Sequence, residues 1–156
     1  MKSPGRIIEE YAGWAAFAIG FAVACFINPE KYHYSELINN FPAIGLGIFG
    51  FMLTFIAIIL QSSNNTIDYM KSQETLFKCF VDYNKRVVVV SAILTLYTYL
   101  ISSFCIPVGC IDWAIGGIAV QRIIKIVAIS LFWGLLLKLC VDTFFFIKSF
   151  YILLRK

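Results

Sequence analysis

Apolar residues are gathered into four long blocks, at about residues 7–27, 41–61, 87–106 and 123–145, and most polar residues fall in the gaps between them. A helix needs about 20 mostly apolar residues to cross a hydrocarbon core ~30 Å thick, because it rises only ~1.5 Å per residue. The blocks have that length. They predict an all-α fold, an integral membrane four-helix bundle built as one four-span domain over residues 1–156. Asn28-Pro29 ends the first block, since proline cannot continue a helix without losing a hydrogen bond. Pro42 is expected in the first turn of the second, where a missing N–H costs nothing. Pro107-Val108-Gly109 stops the third, while Lys138, Asp142 and Lys148 blur the end of the fourth.

The gap at about 62–86 is too apolar for a plain linker. Leu76, Phe77, Phe80 and Tyr83 recur at helical spacing with Lys78, Asp82 and Lys85 between them. The second helix is expected to run past the membrane and turn near Lys71-Ser72. Ser72 is then the expected N-cap of a helix that starts at Gln73 and leads into the third span. This short helical hairpin presents Lys71, Glu74, Lys78, Asp82, Lys85 and Arg86 as a candidate surface for a soluble partner. An amphipathic helix lying on the headgroups is the other reading. The tail from Asp142 reads either as the end of a long tilted helix or as an interfacial helix anchored by aromatics.

Composition agrees with the blocks. Of the 156 residues, 60% are hydrophobic, 17% aromatic and only 14% charged, against roughly 25% charged in a soluble domain. That excludes a soluble enzyme, a disordered tail and a disulfide-stapled secreted module. The net charge is +4, and its placement sets orientation. Lys2 and Arg6, then Lys71, Lys78, Lys85 and Arg86, then Lys148, Arg155 and Lys156 fall on one side of the blocks. Basic residues mark the cytoplasmic side, so both termini and the hairpin are expected there. Arg122 and Lys125 run against the pattern; they reach outward along their stems, or a re-entrant turn at Ile111–Gln121 holds them at the outer interface. A cleaved signal peptide is disfavoured, because Glu9 and Glu10 interrupt its apolar region.

Three groups of residues invite a functional reading. Ala12, Ala16, Gly20 and Ala24 are spaced by four, and Ala43, Gly47 and Gly50 follow in the second block. Such small-residue faces let backbones approach closely inside lipid, either within one bundle or between subunits of a homo-oligomer. Lys138 and Asp142 stand four apart and can pair on one helix face. Either they form an intramembrane polar pair on an ion path or switch, or the span ends near Val141 and both reach cytoplasmic water.

The remaining groups offer less. Glu9 and Glu10 suit the helix N-terminus, and His33 suits an exposed loop. The cysteines form no zinc pattern, and Cys105 with Cys110 is an open candidate for a disulfide. Gly45-Leu46-Gly47-Ile48-Phe49-Gly50 matches a dinucleotide-binding pattern by letter only, in a charge-free span. No catalytic constellation, cofactor site or metal site is expected, and no direct binding of nucleic acid.

The run Leu60-Gln61-Ser62-Ser63-Asn64-Asn65, with Lys71-Ser72, Leu76-Phe77, Tyr83 and Arg86 between the second and third blocks, completes an architecture that resembles a known group. The whole chain is similar in layout to the small four-span membrane proteins of bacterial anti-phage defence loci, such as the membrane subunit of the Kiwa system. The resemblance implies an inner-membrane homo-oligomer working with a separate cytosolic protein, and it carries over no functional residue. The expectation is a non-enzymatic scaffold or sensor embedded in lipid; a pore or small multidrug-type transporter is the alternative.

Overall fold

The computed structural model describes residues 4–26, 34–61, 65–103, 114–115 and 118–154. They are helical apart from two very short strands. Helix α1 is Pro4–Phe26, α2 is Tyr34–Gln61, α3 is Asn65–Ser72, α4 is Glu74–Ser103 and α5 is Val120–Leu154. Strands β1 (Ala114–Ile115) and β2 (Ile118–Ala119) pair antiparallel just before α5, with Ala114 opposite Ala119. They occupy the place where the sequence suggested a re-entrant turn.

Three helices contain segments long and apolar enough to cross a membrane: Glu36–Gln61, Phe77–Ser103 and Ile123–Ile152. The apolar part of α1, Tyr11–Phe26, is shorter. Outward-facing Leu46, Phe51, Ile58, Leu96 and Val127 are all well exposed. Soluble monomers rarely show apolar surface on this scale, and a lipid environment explains it.

Each helix lies against its neighbour through small or polar residues. The order around the bundle is α1, α5, α4, α2. α1 runs antiparallel to α5, with Gly13 opposite Asp142, Gly20 opposite Gly134, and the Cys25 thiol 3.3 Å from the Ser130 hydroxyl. A Cβ at Gly20 would stand 3.0 Å from the Trp133 carbonyl oxygen, so glycine there is what lets the backbones meet. α2 and α4 are tied by Asn84 Nδ2 donating to the Met52 carbonyl at 3.2 Å and by the Ser102 hydroxyl donating to Asn39 Oδ1 at 2.9 Å. Between these ties Gly45 packs directly on the Thr95 side chain. The Tyr97 hydroxyl joins α4 to α5 by donating to the Ala128 carbonyl at 2.8 Å. Where lipid competes little for hydrogen bonds, such contacts hold helices together.

Gly45 and Gly47 therefore differ sharply although both lie mid-helix. Gly45→Ala drives a methyl into Thr95 and is expected to cost about 1–3 kcal/mol, the usual range for overpacking. Gly47→Ala meets nothing within 4 Å and leaves the fold untouched. Thermal unfolding in detergent separates the two.

Three sequence expectations are corrected. α2 begins at Tyr34, so Pro42 stands inside the helix and not in its first turn. Its absent N–H leaves one carbonyl of the preceding turn without its helical partner. The second helix does not run on to Lys71-Ser72; α2 ends at Gln61 and α3 is a separate helix. The Lys71 ammonium reaches back to the Leu60 carbonyl at 3.2 Å and so satisfies an orphan acceptor at the end of α2. Ser72 is not the N-cap of α4. Its hydroxyl donates to the Tyr69 carbonyl at 2.7 Å, and the Gln73 carbonyl accepts the first helical bond, from the Phe77 N–H at 2.8 Å.

The stripe of Phe77, Phe80 and Tyr83 turns into the bundle. Phe80 is fully buried, stacked on Phe146 at 5.0 Å and edge-on to Phe55, while Tyr83 stacks on Phe145 at 5.9 Å. The apolar side of early α4 is thus occupied by protein and not by headgroups. The tail after Asp142 continues α5 as one helix to Leu154, about 52 Å in all. Asn28-Pro29, His33, Cys105, Cys110 and residues 107–109 lie outside the described residues.

Candidate functional site

Lys138 and Asp142 project from α5 one turn apart, and Lys138 Nζ lies 2.9 Å from Asp142 Oδ2. The side chains are 9% and 2% exposed. Neither reaches open water, in contrast to the reading in which both did. Two residues of α1 cover them. Gly13 sits over the carboxylate so closely that a Cβ would be 2.5 Å from Asp142 Oδ1 and 3.1 Å from Lys138 Nζ. The Trp14 ring caps the ammonium, with Nζ 4.7 Å from its centroid. A buried charge pair needs its remaining valences satisfied or shielded, and the electron-rich ring face supplies part of that for the cation.

The register between α4 and α5 fixes the depth of the pair. Tyr83 meets Phe145 and Tyr97 meets Ala128, so Lys138 is level with about residues 87–89 of α4. Charged residues of α4 stop at Arg86, and 87–103 contains none. The pair therefore lies at the charged end of the apolar zone, buried by neighbouring protein.

Beside it is a cavity of about 580 Å³ between α1 and α4, with α5 as floor. Tyr11 and Trp14 form one wall, and Leu135 and Lys138 lie in the floor. The other wall changes character along α4, from Asp82, Lys85 and Arg86 to Val89 and Ile93. The Arg86 guanidinium lies 5.5 Å from the centre of the Tyr83 ring. The volume falls within the ~300–1,000 Å³ of small-molecule sites.

The residues singled out from the sequence separate into distinct places. Gly20 and Ala24 are buried against α5, with Ala12 and Ala16 half-buried on the same side of α1. Ala43, Gly47 and Gly50 are exposed, and a Cβ at either glycine would meet nothing within 4 Å. On α4, Glu74, Lys78, Asp82 and Lys85 are all exposed and spaced by four, four and three, which aligns them on one face. Lys71 is bound to the end of α2, and Arg86 is half-buried beside the groove. Glu9 and Glu10 are on α1 near its start.

Sequence reasoning missed Gly13, Trp14 and Gly134. The spacing of seven between Gly13 and Gly20 was the signal, since it marks one helix face as clearly as the alanine series beside it. Among the described residues no group of three His, Cys, Asp or Glu side chains could hold a metal ion.

Three helices long and apolar enough to cross a membrane point to a helical membrane protein. No protein-family model, curated protein or solved structure matches the chain.

Proposed function

We propose that the chain is a non-enzymatic membrane scaffold or sensor that crosses the bilayer four times, assembles with copies of itself and recruits or signals to a cytosolic protein. The observation that carries this reading is the exposed stripe of Glu74, Lys78, Asp82 and Lys85. Its signs alternate, which suits a polar protein surface. Its opposite side is clamped in the aromatic cluster of Phe55, Phe80 and Phe146. A force on the stripe is thus passed to a helix that continues into the membrane.

The antiparallel run of α1 beside α5, from Gly13 at Asp142 to Cys25 at Ser130, supports a fourth crossing. Both termini and α3 then share the side rich in Lys and Arg, the cytoplasmic one. Open Ala43, Gly47 and Gly50 support self-association through α2. The resemblance to four-span proteins of bacterial anti-phage defence loci supports a partner in defence signalling.

The test uses tagged chain drawn from its own membranes in mild detergent. Wild type is expected as an oligomer carrying a soluble protein. Glu74→Lys with Lys78→Glu is expected to lose that protein and keep the oligomer, and Gly47→Leu with Gly50→Leu to do the reverse. A monomer with no soluble companion refutes the proposal. A second reading, a pore or small transporter, draws on Lys138 lining the groove. Reconstituted vesicles that leak, and seal with Lys138→Met, favour it; tight vesicles reject it.

A further inference from the structure

The groove between α1 and α4 opens on the flank of the bundle, and in a bilayer that flank faces lipid. Its walls are chemically divided. Lys85 is exposed at one end beside Arg86, while Val89 and Ile93, themselves 46% and 49% exposed, continue the same wall. The change falls where α4 loses its charges, between Arg86 and Val87. Trp14 on the facing wall is 60% exposed, and amphipathic rings of this kind favour the headgroup boundary. Space of this shape in contact with hydrocarbon is filled by an acyl chain, because water would find apolar walls there and few partners.

We infer that the groove is a binding site for an anionic phospholipid. Its phosphate is held by Lys85 and Arg86, and one acyl chain lies along Val89 and Ile93 against Trp14. Basic pockets between membrane helices on the cytoplasmic side recognise such headgroups by charge. Phosphatidylglycerol, whose charge resides on its phosphate, is the fitting probe. The inference rests on residence in a membrane and is independent of any soluble partner or pore.

The experiment places the full chain, with Trp113→Phe and Trp133→Phe so that only Trp14 emits, in phosphatidylcholine nanodiscs. Spin-labelled phosphatidylglycerol or spin-labelled phosphatidylcholine is then added as quencher. Phosphatidylglycerol is expected to quench at lower mole fraction. Lys85→Gln and Arg86→Gln should each weaken that preference about fivefold, the share of one basic side chain near an anionic surface. Lys85→Arg should retain it. On the unsubstituted cations, raising salt should narrow the gap between the two lipids. Equal quenching by both lipids, meaning a non-specific lipid ring only, overturns the inference. So does a preference that survives both Gln substitutions. Failure to enter nanodiscs at all overturns the membrane reading beneath it, and is distinguished by the chain's staying in the soluble or aggregated fraction.

Discussion

Lys138→Met is expected to destabilise the bundle by about 3–5 kcal/mol, because it strands the buried Asp142 carboxylate without the ammonium 2.9 Å away. Asp142→Leu should cost a similar amount by stranding the ammonium. Combining the two should return most of the loss, since a well-packed apolar pair of similar size removes both charges and their desolvation together. The sign of the coupling is the content of the prediction. Two side chains that merely hung into water would give small effects that add. Here the pair is 2.9 Å apart, and its members are 9% and 2% exposed. Thermal unfolding of the two single variants and the double, in one detergent, closes the cycle. A double variant as unstable as the sum of the singles would mean that the charges do not act as a unit.

Gly13→Leu is expected to separate α1 from α5 while leaving the other helices packed. A Cβ alone would come within 2.5 Å of Asp142 Oδ1, and the carboxylate cannot swing away without leaving Lys138. Overpacking of this kind costs about 1–3 kcal/mol and more where the obstruction is fixed. Because α1 has its main interface with α5, that loss is enough to free it. The readout is protease sensitivity of residues 4–26 in detergent, with the Trp14 emission shifting as its contact with Lys138 is lost. Gly13→Ala should show the same effect more weakly. Unchanged protection with Gly13→Leu would show that α1 docks elsewhere.

How much of this was legible in the sequence follows from which forces act. Helix positions were legible because lipid demands long apolar runs, and α2, α4 and α5 follow directly. α1 is recognisable by the same rule, though its apolar part is shorter than the others. The inward stripe of Phe77, Phe80 and Tyr83 was readable as periodicity. Pro42 was misplaced because it looks like a helix start, yet the turn from Tyr34 to Phe41 before it is helical too. Ser72 looked like a cap because its residue type prefers that role, but its hydroxyl found the Tyr69 carbonyl first. The pair at Lys138 and Asp142 could be seen, but not its burial. That depends on α1, more than a hundred residues earlier, and no local pattern connects Gly13 to Asp142. The groove was invisible for the same reason, being a space between two helices that the chain visits at different times.

The first helix of this fold is made long before the helix it rests on. α1 pairs chiefly with α5, so its partner face stays uncovered while α2, α3 and α4 are synthesised. The buried pair is balanced within α5 itself, since Lys138 and Asp142 belong to one helical turn. What the described residues of α1 then contribute is Gly13 and the Trp14 ring, packed over that pair. Any ribosomal product stopped short of α5 leaves the face of α1 that bears Gly13 and Gly20 without the surface it packs on.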